Sequence, residues 1–373
     1  MNELKQSLLK LKQKGSQVVG CFPLYAPLEL LHSFSLTPVV LWGLRSEVKD
    51  LSRSDRHLQN YTCQVARCLT EFILENNRSV FDALFMYNAC DTLRNLPEII
   101  ETGLAEEGIS LSIFKLHVPA IPHDRTGAQG YLRDRIESLI ARLEGFTHRS
   151  FSPQAFAASV DLYTRQRGLC RELEDLCAQG RTTFASCASL LESAHFMRVE
   201  EHITLLESEV LKAQKMPIGV SPRKRVMVSG IQAPPVELIE AMEAAGLRIV
   251  ANDIATLARS YGYCPQPTED PCEYYCDFYF NHYPCTTMLP AGDRRIELIR
   301  KRIDESSAQG FIFFGEKFCE YEYFEIPFLK DILGSFGVDV LSLELGADDL
   351  SNLTPLKTRI EAFAEMQGAG KAP

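Results

Sequence analysis

Several features that would assign a protein quickly are missing from this sequence. No apolar run in its 373 residues approaches the ~20 that a membrane-spanning helix needs. The opening MNELKQSLLKLKQKG alternates charge with leucine and has neither the apolar core nor the cleavage site of a signal peptide, so the chain is expected in the cytoplasm. Positive charge is short. The 39 Lys and Arg face 49 Asp and Glu, a net charge of −10, which argues against a nucleic-acid partner because an acidic surface repels a phosphate backbone. There is no Walker A motif, and no GxGxxG follows a strand, so any ATP hydrolysis is expected on a separate protein. No CxxC pair occurs either, which disfavours zinc ribbons, thioredoxin-type motifs and ferredoxin-type runs.

What is present is an ordinary globular composition, 46% hydrophobic and 24% charged, which excludes a disordered, collagen-like or disulfide-framework chain. Against it the 12 cysteines stand out. In a reducing compartment they are not expected to form structural disulfides, and most such cysteines pack as small buried hydrophobes.

An internal repeat organises the chain. QVVGCFP (17–23) reads as a buried strand, APLELLHSF (26–34) as a helix and PVVLWG (38–43) as a second strand. The same order returns in RVMVSGI (225–231), PPVELIEAMEAAG (234–246) and RIVANDI (248–254), with Pro27 and Glu29 matched by Pro235 and Glu237. Proline at a first helical position and a carboxylate in the first turn both suit a helix N-terminus. FDALFMYNAC (81–90) and GFIFFGEKFC (310–319) form the next matched pair, each followed by a helix, and LSIFKLHVP and DVLSLEL close the halves. Apolar runs without alternation are what strands buried on both faces look like. The expected fold is therefore α/β, with two doubly wound parallel sheets of Rossmann or flavodoxin type and a helical segment between them. The expected divisions are an N-terminal α/β domain over 1–128, a helical segment over 129–215 packed with it, and a C-terminal α/β domain over 216–373. Within this plan 216–225 reads as a linker and the last eight residues as a frayed tail.

The repeat changes the reading of three cysteines. Cys90 and Cys319 both lie just past the third strand of their half, where doubly wound sheets place ligand sites. Cys63 lies on the helical stretch NYTCQVARCLTEFIL, and Cys68 five residues later faces another side of it, toward the core. Three thiolates from three segments could hold a [4Fe–4S] cluster and leave one iron open to substrate.

The segments VVGCFPLYAPLELLHSFSLTPVVLWG, FDALFMYNACDTLRNLPE and GFIFFGEKFCEYEYFEIPFLKDIL, with the closing LSNLTPLKTRIEAFAEM, resemble the ATP-activated radical 2-hydroxyacyl-CoA dehydratase and benzoyl-CoA reductase family, and most of all its smaller subunit. The resemblance runs from about residue 15 to 366. It implies a heterodimer of related subunits, each with two Rossmann-like domains and a cluster held by three cysteines, whose positions fall here on Cys63, Cys90 and Cys319. It also implies a related larger subunit, an ATP-hydrolysing iron–sulfur activator as electron donor, and an acyl-CoA substrate. The implied reaction is dehydration of an (R)-2-hydroxyacyl-CoA through a ketyl radical, or the related reduction of a benzoyl ring. A branch carrying a double-cubane [8Fe–9S] cluster shares the scaffold, and a non-catalytic electron-relay subunit is a further alternative.

Other residues carry two readings each. Glu29 is a candidate catalytic proton shuttle or a helix N-terminal charge, and His32 one turn on can meet substrate or serve the structure. Cys285 is a candidate fourth sulfur ligand or a packing thiol, while Cys272 and Cys276 share one helix face. The aromatic run through Tyr274, Tyr275, Phe278 and Tyr279 can line a ligand or an interface. Arg94 and Arg259 can meet CoA phosphates or make surface ion pairs.

Overall fold

The computed structural model describes residues 3–121, 126–219, 224–285, 288 and 292–369. The first half runs α1 (Glu3–Gln13), β1 (Gln17–Phe22), α2 (Leu28–Ser33), β2 (Leu36–Val40), α3 (Gln64–Val80), β3 (Ala83–Tyr87), α4 (Asp91–Glu106) and β4 (Ser112–Leu116). Four helices follow, α5 (Ala128–Thr147), α6 (Pro153–Ala178), α7 (Phe184–Glu192) and α8 (Val199–Lys215). The second half runs β5 (Lys224–Gly230), α9 (Val236–Ala244), β6 (Leu247–Ile254), α10 (Ala258–Tyr261), α11 (Pro271–Asn281), α12 (Gly292–Ser306), β7 (Gly310–Glu316), α13 (Glu320–Ser335), β8 (Asp339–Leu345) and α14 (Thr354–Ala369).

Two four-stranded sheets result, ordered β2-β1-β3-β4 and β6-β5-β7-β8, with every neighbouring pair parallel. The shared order confirms the expected two-sheet α/β fold. In the second sheet the side chains show why these runs are uniformly apolar. Val226, Val228, Ile312 and Phe314 enter one buried cluster, whereas Met227, Phe311 and Phe313 enter another. Successive residues of a strand point to opposite faces, so a strand covered by helices on both sides has no polar position to spare. Each such Val, Ile or Phe contributes roughly 1.5–3 kcal/mol by leaving water.

Details differ from the sequence expectation for identifiable reasons. β2 begins at Leu36 and ends at Val40, and Gly43 beyond it turns with φ +75°. Pro38 is tolerated because β2 is an edge strand. Pro27 and Pro235 are N-caps rather than first helical residues. Cys63 likewise caps α3 instead of lying within it. Met366 to Ala369 belong to α14, while residues 370–373 of the expected tail and 220–223 of the expected linker lie outside the described residues.

Two compact units divide the chain. Unit 1 contains Met1–Gly168, Ser193–Thr204 and Gly262–Ala291; unit 2 contains Leu169–Glu192, Leu205–Tyr261 and Gly292–Pro373. The helical segment expected to accompany the first domain is thus shared, and 262–291 leaves the second half for unit 1. Packing explains both shifts. α5 contacts α11, where Arg133 pairs with Asp270 at 3.2 Å and its carbonyl takes the Cys272 thiol. In α7, Phe184, Cys187, Ala188 and Leu191 join the same cluster as Leu238 and Met242 of α9.

At the carboxyl edge of the second sheet, Asp253 is fully buried between Arg259 and Arg295, with N–O distances of 2.9 and 2.8 Å, and accepts from Ser229 Oγ at 2.8 Å. Burial alone would raise its pKa, but the two guanidiniums and the Ser229 hydroxyl overrule it and hold it at about 2. A depressed carboxylate stabilises the fold above its unfolded value of about 3.9, and that contribution is lost as pH falls toward the folded value. Asp253→Asn should therefore lower unfolding free energy at neutral pH by roughly 3–5 kcal/mol, since it leaves two buried guanidiniums short of a counter-charge. It should also flatten the loss of stability between about pH 4 and pH 2. Urea denaturation across that range checks both, and an unchanged midpoint at neutral pH would show the ion pairs to be dispensable.

Candidate functional site

The three cysteines singled out by the repeat share one local setting. Cys63 is the N-cap of α3, Cys90 of α4 and Cys319 of α13. Their carbonyls begin those helices, accepting from Arg67 N at 3.2 Å, Arg94 N at 2.9 Å and Tyr323 N at 3.1 Å. Of the twelve cysteines, all described, none is in a disulfide, and only Cys63, Cys90, Cys264, Cys276 and Cys319 are half-buried rather than buried. Cys264 accepts from or donates to Thr164 Oγ1 at 3.3 Å, and Cys276 donates to the Gln129 carbonyl at 3.9 Å. The remaining three are the helix caps. A helix N-terminus favours negative charge, and the thiolate is the form of cysteine that ligates iron. Each of the three offers the sulfur donor that iron–sulfur clusters take, Cys63 and Cys90 within unit 1 and Cys319 within unit 2. No three His, Cys, Asp or Glu among the described residues form a group able to hold a single metal ion.

Two of the caps, Cys90 and Cys319, are held by contacts of the turns that precede them. After β3, the Asn88 side chain donates to the Val118 carbonyl at 3.1 Å and accepts from Val118 N at 2.7 Å, which ties the Cys90 turn to the segment beyond β4. After β7, Phe318 adopts φ +63°, and its amide donates to the Tyr323 hydroxyl at 3.1 Å. Glu316 N donates to Glu322 at 2.6 Å, and Gln232 donates to Glu316 at 2.7 Å. Burial, reinforced by the neighbouring Glu316, pushes the Glu322 carboxyl up to about 8, so it is largely protonated at neutral pH. Phe318 holds backbone strain at the residue just before the cysteine.

Glu29 is neither an exposed helix-end charge nor an open carboxylate. It is 1% exposed and forms a buried ion pair with Arg167. Tyr274 donates to one oxygen at 3.0 Å and Tyr275 to the other at 2.9 Å, while Leu30 N donates to the Tyr275 hydroxyl at 3.0 Å. Burial and then the Glu29 charge raise both phenols, which stay neutral donors. The aromatic stretch is thereby accounted for as core of unit 1. His32 bridges Ser159 at 2.8 Å and Glu200 at 3.1 Å, a structural setting. Cys285 is fully buried, and Cys272 and Cys276 sit on α11. Arg94 is exposed and paired with Asp91, whereas Arg259 is neither a surface pair nor open to a phosphate, being buried on Asp253.

Sequence reasoning missed Asn88, Arg167 and Asp253. Asn88 had a usable signal, since an amide directly after a buried strand is suited to clamp a turn. Arg167 had none, because its partner lies 138 positions away. Glu29→Gln should cost roughly 3–5 kcal/mol by leaving Arg167 buried beside a neutral amide. Thermal or urea unfolding of that variant measures it, and native-like stability would reassign Glu29 as free to serve chemistry.

A family model described as 2-hydroxyglutaryl-CoA dehydratase, D-component, matches residues 23–367. The chain is similar to the (R)-phenyllactyl-CoA dehydratase beta subunit of Clostridium sporogenes, 24% identical over 372 residues, covering 98% of this chain and 95% of that protein. It is also similar to the beta subunit of (R)-2-hydroxyglutaryl-CoA dehydratase from Acidaminococcus fermentans, at 25% over 369 residues, covering 97% and 95%. A benzoyl-CoA reductase subunit from Thauera aromatica matches at 24% over 356 residues, covering 94% and 90%. With a match that takes in nearly every described element of both halves, the chain belongs to the 2-hydroxyglutaryl-CoA dehydratase D-component family.

Proposed function

We propose that this chain is the smaller, iron–sulfur subunit of an ATP-activated enzyme that acts on an acyl-CoA thioester, dehydrating an (R)-2-hydroxyacyl-CoA through a ketyl radical. The observation that carries the reading is the placement of Cys63, Cys90 and Cys319, each half-buried at the N-terminus of its helix and two of them at matched positions of the repeat. The similarity to a benzoyl-CoA reductase subunit supports ring reduction as a second reading on the same scaffold.

Cys63, Cys90 and Cys319 would hold a [4Fe–4S] cluster, which when bound supplies one-electron chemistry and an iron without a protein thiolate. The chain's own residues do the rest. Asn88 and the Glu316–Glu322 contact fix the two turns that present Cys90 and Cys319. The Glu29–Arg167 pair anchors α2, and buried Tyr87, Tyr279 and Cys285 keep water from the carboxyl edge of the first sheet. Dryness matters because the β-proton of an acyl-CoA is too weakly acidic for an ordinary side-chain base, and its removal needs a radical intermediate shielded from water. The partners in this reading are a related larger subunit, consistent with relatives that are themselves named as single subunits of larger enzymes, and a separate activator that hydrolyses ATP.

Iron and acid-labile sulfide after anaerobic purification test the proposal. About four irons per chain, lost in Cys63→Ala, Cys90→Ala and Cys319→Ala with the helical circular dichroism preserved, is the expected result. About eight would move the assignment to the double-cubane branch. No iron in the wild type, or iron retained in all three variants, would overturn it.

A further inference from the structure

α5 runs down β4 with its first turns at the carboxyl edge of the first sheet. Arg142 donates to the Ile113 carbonyl at 2.7 Å, whereas Tyr131, about three turns earlier, meets the ring of His117 edge-on with centroids 5.6 Å apart. The register of the sheet sets the level of His117. Leu116 lies opposite Tyr87, so His117 follows beside Asn88, two residues before Cys90. Asn88 in turn bonds both the amide and the carbonyl of Val118, which holds the two segments together.

Arg135, one turn past Tyr131, sets its guanidinium over the same ring at 5.3 Å from the centroid. A contact with a ring face uses none of the five guanidinium N–H groups. Arg135 is exposed and makes no ion pair or hydrogen bond among the described residues, so those donors stay free. His117 is exposed too. Partial burial, and then the charges of Arg94 and Arg135, hold its pKa below the usual histidine value. Both charges acting on it are positive, on a chain whose net charge is −10. A local positive field on an acidic surface favours anions at that point.

The repeat supplies an internal control. In the second sheet Glu316 lies opposite Leu345, and Gly346 holds the place that matches His117. Asp348 and Asp349 follow, and Lys317 is taken up by Asp349 at 2.7 Å. Free cationic donors therefore mark the edge that carries Cys90 and not the edge that carries Cys319.

We propose that Arg135 and His117, positioned by Tyr131, bind a phosphate group of the coenzyme A portion of the thioester substrate. The inference rests on the acyl-CoA reading above and gives that substrate an anchor on unit 1. A guanidinium matches two phosphate oxygens with paired N–H groups, and an imidazole adds one further donor. Arg94, four residues past Cys90, flanks the place; its pair with Asp91 is exposed on both sides and weak enough to yield to a ligand.

Calorimetric titration of the protein as purified, with free coenzyme A and with ADP at two salt concentrations, tests the proposal. Arg135→Ala and His117→Ala should each weaken coenzyme A roughly tenfold and make its binding less sensitive to salt. Tyr131→Ala should weaken it as well and Tyr131→Phe restore it, because the ring and not the hydroxyl holds the cation. Lys212→Ala, an exposed charge on α8, should change nothing. Unchanged coenzyme A affinity in Arg135→Ala and His117→Ala would overturn this site and leave the acyl-CoA reading standing. A loss confined to ADP would assign the rim to another nucleotide and overturn the proposal equally. A wild type that binds no coenzyme A would remove the acyl-CoA reading itself, which separates the two failures.

Discussion

A parallel strand covered by helices on both faces has room for polar chemistry only at its ends. Val226, Met227 and Val228 cannot be replaced by charged residues without stranding a charge in one of two apolar clusters. Carboxyl ends are the exception, because the following helices begin there and offer unsatisfied amides to anything negative. Both sheets place their buried ionic groups in these connections: Glu29 in the first turn of α2 after β1, and Asp253 near the end of β6. Each is surrounded by guanidinium or phenol donors, so the cost of dehydrating a carboxylate is offset by short contacts rather than by water. The three capping cysteines also stand at helix starts, though none makes a side-chain hydrogen bond to the first turn.

How far this could be read from the chain depends on how local each cause is. The eight strands were legible because double burial writes an unbroken apolar run, and the two halves because the same runs recur in the same order. The equivalence of Cys90 and Cys319 followed from that alone. The register of β2 was less legible, since a proline inside the run and the turn at Gly43 shift its ends by two or three residues. The division into units was not legible at all. It depends on α11 packing against α5 and on α7 packing against α9, contacts that no local pattern announces.

Glu29 and Glu237 show the limit most clearly. Both follow a proline in the first turn of a helix after the first strand of their half, and the local signal is the same. Glu237 is exposed, whereas Glu29 is sealed beneath Arg167, Tyr274 and Tyr275. The difference is made by residues 138 and 245 positions downstream. A motif fixes what a side chain is able to do; the elements folded over it decide whether it meets water, a guanidinium or a substrate.

That dependence explains why the two halves can share a skeleton and still differ in chemistry. Each capping cysteine is half-buried, with its carbonyl fixed by the first turn of helix hydrogen bonds. The residue beneath it, at the strand end, is dry. There one half places the Tyr87 phenol and the other a carboxylate that accepts from Gln232, at matched positions three residues before the cysteine. Fold stability is indifferent to that exchange so long as each group finds its partner. Divergence between the halves is therefore tolerated where the backbone is indifferent.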